Sequence, residues 1–280
     1  MRRIIKIIPL YFLLLFSISC INLNVPEEDT SGISSLLEKD ILNLATTSFR
    51  DLHCSIQGDS SLALAFAFMA DQNGQVRDYF EDYAIEPRDS LYSAYPNSID
   101  YKYHYHLYGQ WKCCYDAISN ANTILKWLEL EEIQANSSVE SELLKSYSLF
   151  VSGIAHGYLG LSFDKAVVKL YTNESGYQNL SSWEQLIDIS LVLLDEAIAI
   201  AESNSFDIPV SWFGGPDMSN TELSQLANAY AARIMMSSSR NKSHNENLDW
   251  EGILDYARKG ITWDFAPEIG QTHNRSDDNC

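Results

Sequence analysis

Cys20 sits behind a leader that turns its thiol into an attachment point. Arg2, Arg3 and Lys6 form a positive start, Ile7 to Phe16 a short apolar run broken by Pro9, and Ser17-Ile18-Ser19 a set of small residues before the cysteine. A membrane-spanning helix needs about 20 consecutive apolar residues, so residues 1–19 read as a cleavable signal and not as a span. A cysteine at such a junction takes a diacylglyceryl group on its thiolate and becomes the acylated N-terminus after cleavage. Buried lipid contributes roughly 0.8 kcal/mol per CH₂, so several chains together anchor a protein stably. Cys20 is the expected lipidation site, and all that follows it is expected outside the cytoplasm.

The other reactive residue types form weaker patterns. His104 and His106 are one residue apart and would share a face of an extended segment, yet no third ligand accompanies them, so no metal is expected. Carboxylates recur as Glu81-Asp82 and Asp195-Glu196. A glycosidase needs two of them about 5–10 Å apart across a cleft, which sequence does not establish. There is no nucleophile elbow, zinc-protease helix, phosphate loop, dinucleotide fingerprint or calcium loop, so no catalytic residue and no cofactor is expected. Asp164-Lys165 reads as a structural ion pair or polar turn at a helix end. Cys54, Cys113, Cys114 and Cys280 show no disulfide framework and read mostly as small buried hydrophobes, although the expected compartment permits a disulfide.

Aromatic residues in non-helical stretches give the best functional pattern. Residues 79–108 are rich in tyrosine and interrupted by Pro87 and Pro96, and residues 206–217 place Trp212 and Phe213 beside Gly214-Gly215-Pro216. Flat rings stack on the C–H faces of sugars or on apolar ligands, while nearby amides fix hydroxyl groups. Tyr95, Asn97, Tyr101, Tyr103, Trp212 and Phe213 match that pattern and are the ligand-binding candidates. The competing reading is that the rings pack the loops onto the helices.

Helices must position these loops. Apolar residues recur at steps of three and four over 34–52, 105–128, 139–162, 183–202 and 221–238, and residues 61–70 (SLALAFAFMA) read as a buried helix. Ser182 with Gln185 forms a capping box, Asn220 is a further expected N-cap, and Asp249 and Gly260 bracket the last helix. Strand alternation is scarce. The pattern predicts an all-α chain of antiparallel helix pairs with long aromatic-rich loops. Small residues at Gly153, Gly157, Gly160, Ala227 and Ala231 resemble the close-packing positions of tetratricopeptide repeats.

Composition limits the partners. Without the leader the chain keeps 261 of its 280 residues, with 16 basic and 38 acidic side chains, a net charge of −22. That balance argues against nucleic acid, whose phosphates need Lys and Arg, and against adsorption to anionic lipid heads. A hydrophobic content of 46% fits a folded body over 34–280 behind a polar tether over 20–33.

Five segments in order resemble the SusD/RagB family of outer-membrane nutrient-binding lipoproteins. They are Cys20 with its tether (INLNVPEED), WKCCYDAISNANTIL at Trp111–Leu125, FVSGIAHGYLGLSFDKAVV at Phe150–Val168, and the later helices LLDEAIAIA at Leu193–Ala201 and LANAYAARIMM at Leu226–Met236. The resemblance runs from the leader to about residue 265. It implies a tetratricopeptide-like scaffold on the outer membrane, facing outward, that binds an oligosaccharide or peptide. It also implies delivery to a TonB-dependent (SusC-like) transporter without chemistry. Gly153 departs from the family's Arg or Ala, and members are longer, so the resemblance implies a chain incomplete at its C-terminus. The alternatives are an envelope α-helical glycoside hydrolase and a tetratricopeptide-type assembly scaffold.

Overall fold

The computed structural model describes residues 38–57, 104–130, 138–172, 179–215 and 217–267, with the side chains of 54–55, 104–106 and 138–139 outside that description. Its elements are α1 (Glu38–Gln57), α2 (His104–Glu129), α3 (Ser138–Ser162), β1 (Lys165–Val167), β2 (Leu180–Ser182), α4 (Trp183–Ser203), β3 (Asp207–Ile208), α5 (Val210–Phe213), β4 (Met218–Ser219), α6 (Asn220–Ser237), α7 (Lys242–Glu246) and α8 (Trp250–Lys259). The chain is all-α, as the periodicity predicts. The expected helix over 61–70 lies outside the described residues.

Long helices pack on their neighbours in sequence: α1 on α2, α2 on α3, α3 on α4, α4 on α6, and α6 on α8. α3 is the hub. It touches α1, α2, α4 and α6, and every residue from Ser146 to Gly160 is buried. A helix apolar all round belongs inside a protein. Of its buried serines, Ser146 donates from Oγ to Ala197 O at 2.9 Å, whereas Ser148 Oγ has no partner among the described residues.

Three glycines let the other helices reach this hub. A Cβ on Gly153 would meet Leu194 Cγ at 3.0 Å, and one on Gly160 would meet Leu186 Cβ at 3.0 Å. At Gly157 it would lie 2.5 Å from Ile234 Cδ1 and 2.7 Å from Ser190 Oγ. These distances are below ordinary contact, so α4 and α6 can pack at this depth only against glycine.

The caps follow side-chain chemistry. Ser182 and Gln185 form the expected capping box on α4, and Asp249 accepts from Gly252 N at the start of α8. The cap of α6 is Ser219, in a second capping box with Glu222. Asn220, the expected cap, instead donates from Nδ2 to Ala201 O at 2.8 Å. Gly260 does end α8, but with φ −70° it is extended, and a Cβ there would press on Ala257 O at 3.2 Å.

One feature was not expected. β1 pairs antiparallel with β2 and β3 with β4, two short ribbons that fasten the connections after α3 and α4. Cys113 and Cys114 are both buried, as expected, and Cys113 is disulfide-bonded, which the expected compartment permits.

Candidate functional site

The structure corrects one pair of expected ligand contacts. Trp212 and Phe213 are not displayed on a loop: they are 3% and 2% exposed. Pro209 caps the single turn α5, and Gly214, at φ 62°, ends it in the left-handed conformation that glycine adopts without strain. This reversal turns both rings inward. Phe213 meets Phe49 edge-on at 4.6 Å between centroids, and Tyr147 and Phe265 at 5.4 and 5.9 Å. Trp212 lies 4.6 Å from Tyr147, whose hydroxyl donates to Ala45 O at 2.9 Å and to Trp212 O at 3.3 Å. The rings therefore lock α1 and α3 to the 206–217 connection, and no ligand reaches them.

Cys20, Tyr95, Asn97, Tyr101 and Tyr103 lie outside the described residues. His104 and His106 fall on the first turn of α2, so the extended geometry that would have made them partners is absent. Among the described residues no group of three or more His, Cys, Asp or Glu could hold a metal ion.

A polar cluster between α1 and α2 replaces them as a place where charge gathers. Asn120 Nδ2 donates to Asp51 Oδ2 at 3.0 Å, and Lys112 pairs with Asp116 one turn along α2. Burial pushes the Asp51 carboxyl up to about 6, opposed by Arg50 and reinforced by the negative charge of Asp116. A carboxyl poised near neutrality can accept a hydrogen bond from a hydroxyl when ionised and donate one when protonated. Sequence reading missed it because Asp51 and Asn120 are distant in the chain and neither belongs to a local motif.

Two further polar centres are structural. His156 is fully buried, with Nδ1 against Ser152 O at 2.8 Å and Nε2 accepting from Lys169 N at 3.3 Å. Burial lowers its pKa to about 4, so the ring is neutral and committed to holding the chain after β1. Arg240 bonds Asp164 and donates to Gly160 O at 2.8 Å and Phe163 O at 2.9 Å. It also lies 4.6 Å above the Trp183 ring. Asp164 is thus an ion-pair residue as expected, with Arg240 as its partner in place of Lys165. One guanidinium satisfies carbonyls at the end of α3 and fixes the start of α4.

Among the described residues no helix is long and apolar enough to cross a membrane. Comparison of the chain with protein-family models, curated proteins and solved structures finds no match.

Proposed function

We propose that this chain is an outer-membrane lipoprotein of the SusD/RagB kind. It captures an oligosaccharide or peptide outside the cell and hands it to a TonB-dependent transporter without chemistry. One observation carries the reading. The segments that resemble the family, Trp111–Leu125, Phe150–Val168, Leu193–Ala201 and Leu226–Met236, fall on α2, α3 with β1, α4 and α6, helices that pack one on the next around α3. The glycines within the Phe150–Val168 segment sit where α4 and α6 approach α3 most closely, so the segment's small residues have a packing reason.

Two more features support it. The leader places Cys20 for acylation. An oxidised Cys113 fits a chain that matures outside the reducing cytoplasm. With Trp212 and Phe213 committed to the core, the aromatic contacts of this reading are Tyr95, Tyr101 and Tyr103, with Asn97 to fix a hydroxyl.

The test is isolation of the tagged native protein from detergent-solubilised outer membranes. The expected result is co-isolation of a large β-barrel receptor, no turnover of oligosaccharide or peptide, and loss of membrane association in Cys20→Ala. A cytoplasmic or soluble native protein, or hydrolysis of the bound oligosaccharide, would overturn the reading.

A further inference from the structure

We infer that the seam between α3 and α6 holds a carboxylate-binding site built on Arg233, Tyr158 and Tyr230. The inference rests on the nutrient-binding reading above and names the chemistry of the nutrient.

Arg233 is exposed on α6 in a chain with 38 acidic residues, yet it has no carboxylate partner among the described residues. The ion pairs there take Lys112, Lys145, Arg240, Lys242 and Lys259. The Arg233 guanidinium lies instead over the Tyr158 ring of α3, 5.9 Å from its centroid. Tyr158 is 8% exposed, and its hydroxyl is buried with no hydrogen-bond partner among the described residues. A buried hydroxyl left without a partner is costly, and native proteins tolerate few. Tyr147, about three turns earlier on the same helix, is fully buried and has its hydroxyl bonded. Ser148 Oγ is also unpartnered among the described residues, but Tyr158 has in addition a guanidinium over its ring.

The third group arrives by helix periodicity. Tyr230 precedes Arg233 by three residues on α6, so both project from one side of that helix. Tyr230 lies within electrostatic reach of Tyr158 and Arg233. Burial raises both phenols above their ordinary values, with Arg233 pulling the other way. Both hydroxyls therefore remain protonated and able to donate. Gly157 draws the helices together at this point, since any side chain there would strike Ile234 of α6.

The donors select the ligand. A guanidinium presents paired N–H groups that match a carboxylate, and phenol O–H groups can bind its remaining lone pairs. One guanidinium in a chain of net charge −19 compensates one negative charge, which favours a carboxylate over a dianionic phosphate. No ion pair among the described residues restrains Arg233, so its guanidinium is free to turn toward a carboxylate. The ligand is then an acidic oligosaccharide bearing uronate groups, or a peptide held by its C-terminus.

Calorimetric titration of the full mature chain separates these sources. The probes are an oligogalacturonate, its carboxyl-reduced neutral counterpart, a tripeptide with a C-terminal carboxylate, and the same tripeptide amidated. The wild type should bind at least one carboxylate probe and prefer it to its neutral counterpart. A hydrogen bond to a charged group contributes about 1.5–3 kcal/mol, so Arg233→Gln should weaken that binding roughly 10- to 100-fold while the helical circular dichroism stays unchanged. Tyr158→Phe should weaken it by a smaller factor. No binding of either carboxylate probe, equal affinity for charged and neutral forms, or unchanged affinity in Arg233→Gln with native dichroism would overturn the site. Neutral-oligosaccharide binding with receptor co-isolation would leave the nutrient-binding reading standing when this inference falls. Carboxylate binding at Arg233 without a receptor would do the reverse.

Discussion

Two aromatic assemblies meet on α3, and they differ in what happens to their polar atoms. Around Tyr147 the rings of Phe49, Phe150, Trp212 and Phe213 interlock, and the Tyr147 hydroxyl reaches two carbonyl oxygens. Around Tyr158 the hydroxyl has no partner among the described residues, and an exposed arginine lies over the ring. The first assembly is complete within the chain. The second leaves a donor and a positive charge for something else. Richness in aromatic residues therefore does not mark a binding surface by itself; an unfinished hydrogen-bond account beside the rings is the better sign.

The sharpest way to break the first assembly is Phe213→Ala. Phe213 contacts Phe49, Tyr147, Phe150 and Phe265, so the cavity would open among residues of α1, α3 and the segment after α8. Truncation of a buried Phe costs about 3–5 kcal/mol, and denaturant unfolding should show a loss of that order. Ligand affinity of the protein that remains folded should not change. A large loss of affinity with unaltered stability would return Phe213 to the binding site.

Gly157→Ala tests the contact between the assemblies at a smaller expected cost. The new methyl would lie 2.5 Å from Ile234 Cδ1, so either that side chain must turn or α6 must shift. Overpacking of this kind costs about 1–3 kcal/mol. A shift of α6 also carries Tyr230 and Arg233 away from Tyr158, so carboxylate affinity should fall together with the melting temperature. An unchanged melting temperature would mean that the α3–α6 approach is looser than its geometry implies.

What sequence reveals of this molecule follows the range of the forces involved. The capping box at Ser182 and the bracket of Asp249 and Gly260 are local, and they are legible because cap and partner lie within one turn. At α6 two adjacent residues can both cap; the choice of Ser219 is settled by Ala201 O, which engages Asn220 from another helix. The ribbons β1–β2 and β3–β4 have three and two residues per strand, too short for alternation to register. Trp212 and Phe213 lie between Pro209 and Gly214-Gly215-Pro216 in a segment that reads as a loop, but their partners Phe49 and Tyr147 are far away in sequence. The same distance hides Arg240 from Asp164, Asp51 from Asn120, and Arg233 from Tyr158. Long-range pairs decide between core and site here, and periodicity does not reach them.

Asp51 gives a pH-dependent handle on the rim of the first assembly. Its carboxyl, about 6 in the folded chain against 3.8 in a model peptide, binds a proton more readily when folded. Between those values the native state holds a proton that the unfolded chain has lost, so stability must fall as pH rises through that window. The penalty is complete above about pH 6 and absent below about pH 4. After discounting for the solvent that reaches this half-buried group, about 1 kcal/mol is at stake. Asp51→Asn should flatten the stability profile between pH 4 and 7 and raise stability at pH 7 by a similar amount. A profile that stays equally steep in the variant would assign the pH dependence to other groups.

The smallest effect bears most directly on the contrast between the assemblies. Tyr147→Phe and Tyr158→Phe each delete one buried hydroxyl from α3 and leave the ring in place. At Tyr147 the deletion removes the hydrogen bonds to Ala45 O and Trp212 O, so stability should fall by about 1 kcal/mol, the usual net value of a hydrogen bond. At Tyr158 the deleted group has no partner to strand, and its removal relieves the cost of burying an unsatisfied donor. Stability there should hold or rise by up to about 1 kcal/mol, because the gain is limited by the small cavity that the oxygen leaves. The same chemical change thus carries opposite signs at two positions on one helix, and paired unfolding curves at constant pH read the difference directly. Equal losses at both sites would mean that Tyr158 finds a partner in solution and that its hydroxyl is not held for a ligand. Loss at Tyr147 alone, joined to weaker carboxylate binding in Tyr158→Phe, is the pattern of one residue kept for folding and another kept, at some expense to folding, for the ligand.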